Sequence, residues 1–126
     1  MSLRSPLGKV RGLGSAKEGV GHWWAQRTTA IALVPLSLWF IVSLLGALGG
    51  DYASTRAWLS SPLVAAAMLG LLIALFYHAT LGLQVVIEDY IHEKAAKIAA
   101  LLAMKLAFAL AGLIAIVAVL KISLSN

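Results

Sequence analysis

The sequence contains no cysteine and little charge: of 126 residues, 12% are Asp, Glu, Lys or Arg, and only 5 are acidic. Without cysteine the chain forms no disulfide and holds no Cys-ligated iron–sulfur cluster, so any such centre belongs to a partner. The sparse charge excludes an ordinary soluble globule, whose solvated surface alone needs more polar side chains. No nucleotide-binding glycine motif, internal repeat or low-complexity tract is present, and the length leaves no room for a separate soluble domain beside the apolar runs.

What the chain has in quantity is apolar surface, with 61% hydrophobic residues and a mean hydropathy of +0.93. A bilayer's hydrocarbon core is about 30 Å thick and takes roughly 20 apolar residues per helical span, which implies an all-α integral membrane protein with three transmembrane helices. The apolar runs put these helices at about 23–48, 62–90 and 97–120, within a membrane domain of residues 22–126. Pro35 inside the first span predicts a kink or an opened backbone ladder. Gly49-Gly50-Asp51 ends that span, a short loop carrying Asp51, Arg56 and Trp58 follows, and Ser60-Ser61-Pro62 reads as a helix start with serine as cap and proline at the first position. The first run starts late and lacks a small-residue cleavage site, so it is expected to stay as a helix rather than act as a removable signal.

Residues 1–21 form a basic, glycine-rich arm with Arg4, Lys9, Arg11 and Lys17, readable either as a tail or as a docking segment for a soluble partner. The formal charge of +5 sits outside the apolar runs, where it meets membrane lipid and sets topology, so nucleic acid is discounted as a partner. Arg27 joins the four basic residues of the arm, and Lys94 and Lys97 fall at the same end, whereas only Arg56 and Lys121 lie at the other. Positive charge is retained on the inner side, so the N-terminus is expected to face the cytoplasm of a bacterium, or the matrix if the membrane is mitochondrial. Lys105 lies about two turns inside the third span, and its stem can snorkel back to the interface.

His78 is the one side chain in the second span that titrates near neutral pH, and ionisable groups in hydrocarbon are costly enough to be functional candidates. Three readings stand: a hydrogen bond to a neighbouring helix, ligation of a metal or haem, and proton relay. Ala74 and Gly82 share its helical face, four residues to either side, leaving room for a flat macrocycle or for a close helix contact. His22 and His92 lie near the inner ends and do not reach the depth of His78, so a second histidine ligand would come from another chain. Asp89, eleven residues on, returns to the same face about 16 Å further along the helix. Tyr90 beside it presents a phenol that can donate a hydrogen bond to the carbonyl of a lipophilic quinone; an interfacial anchor at a helix end is the alternative. Arg27 is either a positive-inside anchor or the partner of an anionic group.

His78-Ala79-x-x-Gly82-x-Gln84-x-x-x-x-Asp89-Tyr90, with His22-Trp23-Trp24-Ala25-Gln26-Arg27-Thr28-Thr29-Ala30-Ile31 before it, resembles the small haem-b membrane-anchor subunit of succinate dehydrogenase, respiratory complex II, in its alphaproteobacterial and mitochondrial-like branch. The resemblance spans about residues 21–120, and the His-to-Asp-Tyr spacing is its most specific part. It implies that His78 is an axial ligand of haem b, with the second ligand supplied by a companion anchor subunit. It implies that Tyr90 hydrogen-bonds ubiquinone beside Asp89, and that Arg27 lies near the haem and quinone region. Flavoprotein and iron–sulfur subunits would then oxidise succinate and deliver electrons. The alternatives are a fumarate reductase anchor and a non-redox helical subunit for assembly or transport, in which His78 is a packed polar contact.

Overall fold

Long helices joined by short, capped connections make up nearly all of this computed structural model, which describes residues 5–10 and 19–125. They are α1 (Pro6–Val10), α2 (Gly19–Ala47), α3 (Tyr52–Leu59), α4 (Pro62–Tyr90) and α5 (Lys94–Leu124). Three of these, α2, α4 and α5, are long and apolar enough to cross a membrane. At 29 residues, α4 spans about 43 Å, more than the roughly 30 Å of hydrocarbon, so its ends reach through the headgroup layer. The chain is therefore an all-α, multi-pass membrane protein. Most of the basic arm, residues 1–4 and 11–18, lies outside the described residues.

Local chemistry fixes where the helices start and stop. Gly49 takes φ 89°, a left-handed turn that glycine adopts without a Cβ clash, and it reverses the chain after α2. The next segment is helix α3 rather than the loop expected from sequence. The Asp51 carboxylate accepts from the Ser54 N–H at 2.8 Å, and the Ser54 hydroxyl donates back to the Asp51 carbonyl at 2.8 Å. Stacking of Trp58 on Trp39, with ring centroids 5.9 Å apart, holds this short helix against α2. Ser61 occupies the N-cap of α4, but its side chain makes no capping bond, so Pro62 at the first helical position marks the start. α5 begins at Lys94 because the Glu93 carboxylate accepts from the Ala95 and Ala96 N–H groups. Those backbone bonds hold the Glu93 carboxyl below its ordinary range, and the Ser54 bonds do the same for Asp51. α2 runs unbroken through Pro35.

The central element is α4, which packs against α2 on one side and α5 on the other. Its buried residues Ala65, Met68, Leu71, Ala74 and Leu81 recur at near-helical spacing, so one stripe is covered. Leu59, Met68 and Leu71 form the core at the end away from His78, packed by Leu36, Trp39 and Val119 among others. Facing α5, Phe76 meets Phe108 edge-on at 6.2 Å, and a Cβ on Gly112 would lie only 3.4 Å from the Phe76 ring. Large apolar side chains on the outer faces, such as Ile31, Val42, Leu106 and Leu110, are exposed, which suits a lipid solvent that an aqueous protein surface would not tolerate in such density.

Candidate functional site

Along α2, His22, Gln26 and Thr29 are spaced by four and three residues and so form one polar stripe on an apolar helix. That stripe faces His78 on α4. The Thr29 hydroxyl lies 2.9 Å from His78 Nδ1, and the Gln26 side-chain nitrogen lies 3.4 Å from His78 Nε2. The same Thr29 oxygen is 2.7 Å from the Ala25 carbonyl and 3.1 Å from the Gln26 carbonyl.

Beside the imidazole the two helices separate around a cavity of about 660 Å³, whose walls include His22, Trp23, Gln26, Arg27, His78 and Gly82. Arg27 lies over the Trp23 ring at 5.4 Å from its centroid, a cation–π contact between two residues of the cavity wall. At Gly82 a Cβ would lie 3.6 Å from the Gln26 amide, so any side chain longer than alanine would push into this space. Two buried polar atoms, His22 Nε2 and Gln26 Oε1, have no hydrogen-bond partner. Buried polar atoms are normally satisfied, and two orphans on one cavity wall suit an occupant with polar groups of its own.

The donor set narrows that occupant. Among the described residues no cluster of three His, Cys, Asp or Glu side chains gathers to hold a bare metal ion. His78 on a cavity wall that also carries Ala30 and Val85 suits a metal already held by a macrocycle, as in a haem, with Arg27 on the same wall for an anionic substituent. The residues present therefore fit a haem-type group.

Of the residues singled out from sequence, His78 and Arg27 meet at this cavity. Asp89 and Tyr90 are exposed in the last turn of α4, Tyr90 by 79%, and neither lines the cavity. The nearby Gln84 side chain donates to Glu88 at 2.8 Å, leaving the Asp89 and Tyr90 side chains turned outward. Gly82 opens the cavity as expected, but Ala74 on the other side of His78 is buried in the helix packing, so small residues clear only one side of the ring. His22 lies about 10 Å nearer the helix end than Thr29 by helical rise, at the shallow depth expected, and it lines the same cavity as His78. Gln26 and Thr29 carried no role in the sequence reading, although the polar stripe at helical spacing was the signal that marks them.

These features define a class: a three-span helical membrane subunit whose polar chemistry is gathered at one histidine, with a second polar layer at a helix end. The family model described as succinate dehydrogenase/fumarate reductase transmembrane subunit matches residues 1–119, and the chain belongs to that family. It is 43% identical over 89 residues to the succinate dehydrogenase hydrophobic membrane anchor subunit of Rickettsia bellii, covering 71% of each chain. It is 31% identical over 90 residues to the same-named subunit of Paracoccus denitrificans, covering 71% of this chain and 70% of that one. To the succinate dehydrogenase membrane anchor subunit of Reclinomonas americana it is 29% identical over 85 residues, 65% of this chain and 71% of the relative. No solved structure matches.

Proposed function

We propose that this chain is the hydrophobic membrane-anchor subunit of a succinate:ubiquinone oxidoreductase. In this role it helps bind haem b and ubiquinone and attaches the flavoprotein and iron–sulfur subunits to the membrane. The observation that carries the reading is His78 on the wall of a cavity of about 660 Å³ between α2 and α4, with its Nδ1 engaged by Thr29 and its Nε2 met by the Gln26 side-chain nitrogen at 3.4 Å. The relatives' names support the anchor role and favour succinate dehydrogenase over fumarate reductase.

When bound, the haem supplies a one-electron carrier within the hydrocarbon. The protein's part would be to hold the iron through His78, to balance a propionate with Arg27, and to exclude water with the apolar walls of α2 and α4. With His78 as this chain's ligand, a second histidine ligand would come from a companion anchor subunit. At the end of α4, Tyr90 Oη donates to a quinone carbonyl, and the neighbouring Asp89 carboxylate orients the site and receives protons from water. The tail of the quinone stays in lipid. The N-terminus then faces the cytoplasm, or the matrix in a mitochondrial inner membrane, because Arg27, Lys94 and Lys97 cluster at that end.

Purification through a tag on this chain tests the proposal. Flavoprotein and iron–sulfur subunits should co-purify with haem b and reduce ubiquinone with succinate. A stable assembly that contains no haem and no succinate-oxidising subunit would establish the non-redox alternative instead.

A further inference from the structure

Thr29 has a single hydroxyl proton and three acceptors or acceptor-capable atoms around it. The carbonyls of Ala25 and Gln26, at 2.7 and 3.1 Å, can only accept, so a Thr29 proton aimed at His78 would leave two oxygens facing each other at 2.7 Å without hydrogen between them. The proton therefore goes to the backbone, as threonine in apolar helices commonly arranges, and the oxygen lone pair is what faces His78 Nδ1 at 2.9 Å. It follows that Nδ1 carries the ring proton. A neutral imidazole has only one, so Nε2 is a bare lone pair, and the Gln26 amide nitrogen 3.4 Å from it is a donor with nothing to contradict that assignment. The hydroxyl is tied back to its own helix, and the contacts of Thr29 and Gln26 to the two ring nitrogens orient the imidazole as well as setting its tautomer.

We propose that Thr29 is a positioning residue for His78. Its hydroxyl selects the Nδ1–H tautomer, leaves the lone pair on Nε2, where an iron would replace the 3.4 Å Gln26 contact, and by sharing the Nδ1 proton would make Nε2 a stronger electron donor to iron. This rests on the reading of His78 as a haem ligand. The physical consequence is on potential: a more strongly donating imidazole stabilises the ferric state, so Thr29 holds the haem potential lower than an unsupported histidine would.

The test compares Thr29→Val, which keeps the shape and removes the oxygen, with Thr29→Ser, which keeps the oxygen, and with Thr28→Val as an exposed neighbour. In the purified complex, Thr29→Val should retain haem about 10-fold or more weakly under detergent washing and move the midpoint potential upward. Thr29→Ser should restore both values, and Thr28→Val should change neither. If the valine variant fails to assemble, Thr29→Ala gives the same comparison with less bulk. Nitrogen-15 shifts of His78 in the full chain provide a readout that needs no haem: a single Nδ1–H tautomer in the parent and a mixture in Thr29→Val. A valine variant with parental retention, parental potential and an unchanged tautomer overturns the proposal. A His78→Ala complex that keeps its haem spectrum overturns the ligand reading, and with it the effect on potential, while the nitrogen shifts still decide whether Thr29 sets the tautomer.

Discussion

Replacing Gly82 tests the cavity itself rather than any polar group in it. An alanine Cβ at this position would sit 3.6 Å from the Gln26 side-chain nitrogen, an ordinary contact, so Gly82→Ala should fold and keep its haem. A leucine carries three further carbons past that contact, and they have nowhere to go but into Gln26 or into the space beyond His78 Nε2. Forcing extra methylenes against well-packed neighbours costs about 1–3 kcal/mol. Here the cost falls on the loaded state, because the cavity of about 660 Å³ accepts the leucine readily when no macrocycle competes for it. Converted at about 1.4 kcal/mol per tenfold, haem binding should weaken by roughly 5- to 140-fold. The assay is the haem-to-protein ratio of the purified complex, followed through detergent washes, with thermal unfolding measured on the same samples. Full haem retention in Gly82→Leu would refute the placement of the haem beside Gly82. Equal loss in Gly82→Ala and Gly82→Leu would show that glycine serves helix contact and not the cavity.

Three other perturbations separate the remaining parts of the account. Tyr90→Phe removes the phenolic donor at an exposed position and should abolish quinone reduction while succinate oxidation by artificial acceptors persists; equal loss of both activities would contradict a quinone role. Met68→Ala, in the core with Leu59 and Leu71, should destabilise by about 2–5 kcal/mol, seen as a lower melting temperature of the detergent-solubilised complex with its haem spectrum unchanged. Glu93→Gln addresses pH: the Glu93 carboxyl is held below its ordinary range by the Ala96 and Ala95 N–H groups, so its contribution is present above that range and is lost as pH falls through the depressed value. The glutamine variant should melt earlier at neutral pH and show a flatter acid dependence, and parallel curves for the two proteins would refute the cap.

The three spans were legible because hydrocarbon imposes a length: each apolar run is long enough to cross, and the charges fall between runs. His78 stood out for the same reason, as the lone imidazole within such a run, and the structure gives it the hydrogen bond to a neighbouring helix that was one of its three readings. α3 was not legible, because Tyr52 to Leu59 has no sustained apolar period; the Asp51 cap and the Trp58–Trp39 stack, one of them a tertiary contact, make it helical. The contact of Thr29 was not read from sequence, although the His22, Gln26 and Thr29 stripe, spaced by four and three, sets Thr29 apart from Thr28. His22 was set aside on depth alone, whereas the cavity extends along the helix axis and brings it onto the same wall.

The central claim is that His78 Nε2 ligates a haem between α2 and α4. The reduced-minus-oxidised optical spectrum of the purified complex, parent against His78→Ala, tests it most directly. The account predicts sharp bands of a bis-histidine haem in the parent that vanish or shift in the variant; superimposable spectra at equal haem content would contradict it.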